Sequence, residues 1–240
     1  MKLAIILGSN GFSGQVSTQA QVAYDYALNF SSTPSLNNSV FRYRDLETQL
    51  ALLTPTHYSS IDVFYLCNLC TYKQSDEQTK ITADDVASNG LNTLGFLTMF
   101  ETILNYSETH QIPLTWRHAS SHICFIQNKG FALYRAHKKF QNDYLLSREF
   151  ESKILTCKIF HFPAVDTYFA LRSKYQGPKV TRPISPQRAA KEMIKRTKSQ
   201  NIFGLKDQVL YCADKYTPSK MKPLLNEFIY LIARLLTKDD

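Results

Sequence analysis

The chain opens on a polar Lys2 followed by five consecutive apolar residues, Leu3 to Leu7. A run that is apolar at both alternations predicts a strand buried on both faces over 2–7. Glycines stand at 8, 11 and 14, and behind them Val16, Ala20, Ala23 and Ala27 fall on one side of a helix predicted from about 13 to 28. The stretch 29–39 is rich in Ser, Asn and Pro and reads as loop. A short strand over 40–43, a short helix over 46–53 and a buried strand over 61–67 follow. Leu91, Leu94, Leu97, Phe100 and Ile103 mark a long helix over 82–109. Strands are predicted at 114–118 and 154–160, with a helix from Tyr134 to about Phe150 between them. Ser185-Pro186 supplies a capping hydroxyl and a first-turn proline for a helix running to about Lys198. A last strand at 209–212 and a last helix at 220–238 complete the pattern.

Strands alternating with helices, several of the strands apolar throughout, predict an α/β fold: a doubly wound, Rossmann-like parallel sheet with helices on both faces. A length of 240 residues with no internal repeat fits one domain, 1–240. The five residues after Lys2 are too few for a signal-peptide core, and no run is long enough to span a membrane, so a cytoplasmic protein is expected. Five cysteines, an odd count without a regular framework, are expected to be reduced and buried. Cys67-Asn68-Leu69-Cys70 has no second pair to complete a zinc site, and the six histidines lack metal-site spacing, so no metal is expected.

The formal charge of +8 is concentrated over 172–198. A solvated helix face explains the bases of 185–198. The bases ahead of it, Arg172, Lys174, Lys179 and Arg182, fall in a segment that could form a substrate lid over 168–184 and attract an anionic or carrier-bound substrate. No reader motif accompanies them, so nucleic acid is not the expected partner.

A glycine-rich turn between a first strand and a first helix sets backbone N–H groups and a helix N-terminus against a pyrophosphate. Tyr134 and Lys138 lie four residues apart, on one face of their helix. A free phenol ionises near pH ~10, too high for acid–base work at neutrality. A neighbouring ammonium favours the phenolate and makes the tyrosine a usable general acid or base. Ser121 precedes Tyr134 by thirteen residues and follows a strand. Its hydroxyl is placed at the carboxyl end of the sheet, where it can polarise a carbonyl, with Ser120 as the alternative.

The ordered set Gly8/Gly11/Gly14, Asn92-Thr93-Leu94-Gly95, Ser121, Tyr134 and Lys138 resembles the active-site set of the short-chain dehydrogenase/reductase family. Asp62 to Asn68 resembles the strand before that family's Asn-Asn-Ala-Gly turn, and Pro163-Ala164-Val165-Asp166-Thr167 resembles its Pro-Gly-x-Val-x-Thr segment. The resemblance runs from residue 2 to about 198. The glycine spacing is that of the family's extended branch, whereas the rest looks like the shorter branch. The resemblance implies reduction of a carbonyl with NAD(P)H, and Arg42 and Arg44, the basic strand near the adenosine end, make NADP the expected cofactor over NAD. Tyr134 would act as acid, Lys138 would also hold the nicotinamide ribose, and Asn92 would anchor a water that links the lysine to solvent. Gly8, Asn10, Gly11, Phe12 and Gly14 would cradle the cofactor, joined by Asn68, Pro163, Val165 and Thr167.

Departures from the family pattern are specific. Leu69-Cys70 replaces Ala-Gly, Ala164 replaces a glycine, and Phe12 replaces the shorter branch's middle glycine. Arg44 stands only 36 positions after Gly8. Either Asp45 is the residue that meets adenine, and 29–39 stands in for the second strand and helix, or Arg44 ends the second strand and the third is missing. Arg44 is the expected partner of a 2′-phosphate, on one strand face with Arg42. Two further readings stay open, a cofactor-free enzyme and a non-catalytic subunit on the same fold. Small-molecule or carrier-bound carbonyl substrates and a homo-oligomer complete the expectation.

Overall fold

The computed structural model describes residues 1–8, 12–31, 40–67, 83–121, 124, 132–162 and 185–195. Its centre is a six-stranded parallel sheet: β1 (Lys2–Leu7), β2 (Tyr26–Ser31), β3 (Phe41–Arg42), β4 (Ser60–Tyr65), β5 (Leu114–Ser121) and β6 (Leu155–Phe162). Their order across the sheet is β3-β2-β1-β4-β5-β6, the dinucleotide-fold order. Around it lie α1 (Phe12–Ala23), α2 (Leu46–Ala51), α3 (Ala83–His110), α4 (Ala132–Glu151) and α5 (Pro186–Lys195).

Alternation along β1 divides the core. Leu3, Ile5 and Leu7 face a layer with Tyr65, Trp116, Phe96 and Phe100 beneath α3 and α4, while α2 adds Leu46 and Leu50. Ala4 and Ile6 face the other layer, where Val16 and Ala20 of α1 meet Ala189, Ala190 and Met193 of α5. The aromatic layer is interlocked: Phe100 meets the Trp116 ring edge-on, with centroids 4.9 Å apart. In the alanine-rich layer, Arg117 Nε donates to Asp62 Oδ1 at 2.8 Å, a pair turned away from water. Arg117 Nη1 also donates to the Met193 carbonyl at 2.8 Å, tying α5 to the sheet.

The second strand differs from expectation. The first helix stops at Ala23, and 26–31 is β2 rather than helix tail and loop. Pairing with β1, Leu3 opposite Tyr26 through Leu7 opposite Phe30, outweighs the alanine spacing that suggested a longer helix. The turn is fixed by Asp25, whose Oδ2 accepts from the Lys2 N–H at 2.6 Å and whose own N–H donates to the Lys2 carbonyl. The second strand is therefore present, and 29–39 does not replace it. β3 is the third strand, but it holds only Phe41 and Arg42; Arg44 lies in a 3-10 turn, Tyr43–Asp45, not on a strand face with Arg42. β5 runs on to Ser121, so that serine ends the strand instead of following it. The strand expected at 209–212, the helix at 220–238 and the lid at 168–184 lie outside the described residues.

Candidate active site at the carboxyl edge of the sheet

From β1 the chain crosses to β2 on one side and later returns to β4 on the other. Such a reversal opens a crevice at the carboxyl ends of the strands, where ligands bind in open α/β sheets. Gly8 ends β1 there, with φ of +104°, in the left-handed region that glycine occupies at no steric cost. Its N–H donates to the Phe30 carbonyl at 2.9 Å, while Leu66 N–H donates to the Leu7 carbonyl at 2.8 Å. A Cβ on Gly8 would stand 3.0 Å from Leu66 C and 3.1 Å from Cys67 N, so any larger residue would collide with the end of β4. A Cβ on Gly14, inside α1, would meet nothing within 4 Å. The Cys67 thiol donates to Tyr43 Oη at 3.3 Å. Burial pushes that thiol up to about 11, so it is no nucleophile at neutral pH. Cys124 and Cys157 are likewise free, buried and raised by burial.

The candidate acid–base residues lie one crevice wall away. Tyr134 and Lys138 are both buried on the sheet-facing side of α4, Lys138 completely. Lys138 Nζ donates to the Ala119 carbonyl at 3.0 Å, which brings the ammonium to β5 two residues before Ser121. Ser121 is the half-buried last residue of that strand. Ser120 points into the layer under α4, 5% exposed, with its hydroxyl 3.5 Å from Cys124 Sγ. Asn92 is half-buried on α3, and Thr93 Oγ1 lies 3.0 Å from His137 Nδ1. That contact joins the residue after Asn92 to the residue before Lys138, so α3 and α4 are locked together at the level of the site.

Beneath Lys138 the layer is unexpectedly polar, a feature the spacing of sequence motifs did not announce. His118, Gln141 and Asn142 are buried there with His161 and Ser120. The His118 ring stacks on Tyr65 at 5.2 Å between centroids. Burial, and next the charge of Lys138, hold His118 well below the usual imidazole range. The same two causes put His137 at about 4. Both rings are neutral at physiological pH. The signals that could have revealed this layer are Gln141 and Asn142, three and four residues past Lys138 on one helix face, and His118, one strand period before Ser120.

At the other end of the sheet, Ser31 of β2 stands opposite Arg42 of β3. Asp45 accepts from the Arg42 N–H at 3.2 Å and lies 3.7 Å from Arg44 Nε, both side chains well exposed. Asn10, Gly11, Asn68, Pro163, Val165 and Thr167 fall outside the described residues; Phe12 opens α1. Among the described residues no cluster of three His, Cys, Asp or Glu side chains could hold a metal ion, and no helix is long and apolar enough to cross a membrane.

No family model and no curated protein matches this sequence. Solved structures do match in three dimensions. A short-chain dehydrogenase from Burkholderia cenocepacia J2315, in complex with NADP, superposes with a TM-score of 0.67 over 95% of this chain and 96% of its own, at 11% identity. An alcohol dehydrogenase from the archaeon Thermococcus sibiricus, complexed with 5-hydroxy-NADP, gives 0.59 at 18% identity over 80% and 88% of the two chains. A 3-oxoacyl-(acyl-carrier-protein) reductase from Agrobacterium tumefaciens C58 with NADP bound gives 0.61 at 13% identity, covering 80% and 85%. With its 3-2-1-4-5-6 parallel sheet and these likenesses over most of its length, the chain has the fold of the short-chain dehydrogenases/reductases.

Proposed function

We propose that this protein is an NADP(H)-dependent oxidoreductase of the short-chain dehydrogenase/reductase type that reduces a carbonyl. The observation that carries the reading is the meeting, at one sheet edge, of a left-handed glycine at the switch point and a buried Tyr134–Lys138 pair beside the end of β5. The bound dinucleotide would supply the hydride. The left-handed φ of Gly8 turns the chain off the end of β1 against β4, and the N-terminus of α1 would offer a pyrophosphate N–H groups. Tyr134 gives its phenolic proton to the developing alkoxide, and Lys138 favours the phenolate left behind. Ser121 polarises the carbonyl; it is more accessible than Ser120, which is held against Cys124. Asn92 anchors the route by which the proton is restored.

NADP is favoured over NAD by the residues at the adenosine end. β2 ends on Phe30-Ser31 with no carboxylate for a ribose 2′-hydroxyl, Arg42 stands opposite Ser31, and Arg44 follows in the next turn. Asp45 would meet adenine. Asn10, Gly11, Phe12, Gly14 and Asn68 would complete the cradle, and Pro163, Val165 and Thr167 the nicotinamide side. The neighbours bound to NADP support the cofactor, and the acyl-carrier-protein reductase among them supports a carrier-bound substrate meeting the 168–184 segment. We place the protein in the cytoplasm as a homo-oligomer, supported by Leu91 and Leu94 on α3 and Phe150 on α4, all exposed apolar side chains.

Complete burial of Lys138 favours one competing reading, a cofactor-free protein on this fold, because a lysine that holds a ribose must reach it. Titration with NADPH and NADH, followed by nicotinamide fluorescence, separates the two. Saturable NADPH binding is expected. No binding of either dinucleotide at large excess would establish the competing reading instead.

A further inference from the structure

We propose that the layer between α4 and β5 holds a buried water site, formed by His118, Gln141 and Asn142, that solvates the Lys138 ammonium from within the core. The water site stands on burial and unpaired polar atoms, whereas its consequence for Tyr134 rests on the acid–base reading above. Buried polar side chains are nearly always hydrogen-bonded. Here His118 is 0% exposed, Gln141 0% and Asn142 8%, yet His118 Nδ1 and Nε2, Gln141 Oε1 and Asn142 Oδ1 have no hydrogen-bonding partner among the described residues.

The leftover atoms form a pattern. Gln141 turns its Nε2 to Tyr65 Oη at 3.5 Å, and Asn142 turns its Nδ2 toward Cys124 Sγ at 3.6 Å. Each carboxamide therefore directs its donors at a neighbour and leaves its oxygen. The neutral His118 ring offers one acceptor nitrogen and one donor. The Gln141 carboxamide is near enough to act on that ring, but neither side chain completes a direct hydrogen bond. Acceptors thus outnumber donors, and the donor-rich group at hand is the ammonium of Lys138, which reaches the carbonyl of Ala119, the residue after His118. Gln141 and Asn142 lie three and four residues beyond Lys138, on its own helix face. A water molecule has two donors and two acceptor sites, which matches two amide oxygens, one imidazole and one ammonium. A buried ammonium remains charged only where such groups replace bulk water.

The titratable groups around this position are His118 on β5, His161 on β6, Tyr65 and Cys67 at the end of β4, Cys124, and Tyr134 and His137 on α4 itself. Among the described residues, the charges acting on His118 are those of Lys138, His161 and His137, and none is a carboxylate. His118 and Gln141 are accordingly positioning residues: they keep Lys138 charged, and Lys138 in turn acts on Tyr134.

Two measurements on the ligand-free protein test this. A crystal structure that resolves ordered solvent should show a water within hydrogen-bond distance of a His118 nitrogen and of Gln141 Oε1. A dry, direct His118–Gln141 hydrogen bond would overturn the site. The second is an absorbance titration of Tyr134, isolated as the difference between each background and its Tyr134→Phe partner. His118→Phe keeps an aromatic ring on Tyr65 and removes both nitrogens; Gln141→Leu removes the oxygen. In both backgrounds the Tyr134 midpoint should move to higher pH by about one unit. An unmoved midpoint in a folded variant would overturn the link to Lys138, and should His118→Phe fail to fold, Gln141→Leu alone decides. Neither measurement involves a dinucleotide, so a failure of NADPH to bind would end the redox reading without touching this one.

Discussion

Two glycines of the first turn should respond to alanine in opposite directions. At Gly8, φ of +104° is a backbone state that an L side chain adopts at a cost of about 1–2 kcal/mol. The added Cβ would also press on Leu66 C at 3.0 Å and Cys67 N at 3.1 Å. Both are backbone atoms at the end of β4, so relief requires that strand to move, an overpacking that costs roughly 1–3 kcal/mol. Gly8→Ala should therefore destabilise by about 2–5 kcal/mol in total, a large part of the ~5–15 kcal/mol that holds a typical domain together. At Gly14 the Cβ meets nothing within 4 Å and the residue is helical. Gly14→Ala should stabilise by roughly 0.5–1 kcal/mol, because alanine loses less backbone freedom in a helix.

Urea unfolding read by fluorescence provides the assay. Trp116 is the only tryptophan and is fully buried in the aromatic layer under α3, so its emission reports global unfolding. The midpoint should fall for Gly8→Ala and rise for Gly14→Ala with the slope unchanged. A Gly8→Ala protein as stable as wild type would refute the packing argument. Gly14→Ala carries a second message. If it gains stability but loses NADPH binding, the glycine is kept for a ligand and not for the fold.

Four further outcomes are expected. Tyr134→Phe should lower turnover of a carbonyl substrate by about 10² or more with the fold intact, and equal turnover would remove Tyr134 from the mechanism. Arg117→Met should cost about 3 kcal/mol or more by stranding Asp62 in the core, and adding Asp62→Asn should restore part of it; an unaltered double-mutant cycle would show that the pair does not couple. His137 titrates at about 4 in the folded chain, below its unfolded value near ~6.5, so its contribution is complete above the unfolded value and is lost as pH falls toward 4. The loss at pH 5 should approach roughly 2 kcal/mol at most, and His137→Gln, which can still bond Thr93, should show a shallower acid slope by chemical denaturation. Arg44→Ala and Arg42→Ala should each weaken NADPH more than NADH in equilibrium titrations, since an arginine fork suits a 2′-phosphate; equal weakening of both dinucleotides would move the specificity elsewhere.

How far the sequence revealed this molecule depended on where each residue's partner lay. β1 and β4 were legible because their largely apolar runs are buried on both sides, β6 because its alternate residues Leu155, Cys157 and Ile159 are buried, and α3 and α4 because their periodicity is long. β2 was not. Its Asn29 looks like a loop residue, but the side chain is buried and its Oδ1 accepts from Ser17 Oγ at 2.7 Å, a partner on α1 that no local window contains. Ala27 continued the spacing of Ala20 and Ala23, and only pairing with β1 shows that the chain has already turned. In the candidate site, Tyr134 and Lys138 were legible because helical spacing alone puts them on one face. Ser121 was legible by its place at the end of a strand. His118, Gln141 and Asn142 were not, since what makes them notable is that ring nitrogens and amide oxygens are left without a partner among the described residues, a three-dimensional property.

In the proposed mechanism, Lys138 is the residue on which the chemistry turns. An ammonium acts on a neighbouring phenol more strongly as water is excluded, because the effective dielectric falls from that of water toward that of the interior. The same exclusion raises the cost of keeping the ammonium charged. A lysine on an open surface would be easily charged but weak, and one in a dry apolar core would lose its proton and do nothing. Lys138 lies between these limits: no surface is exposed, yet a backbone carbonyl is in contact and neutral imidazoles and carboxamides lie nearby instead of hydrocarbon. None of these neighbours is a carboxylate, so none of them would neutralise the pull on Tyr134 that the proposed mechanism needs. On that proposal, the polar layer under α4 is what would allow the lysine to be both buried and charged.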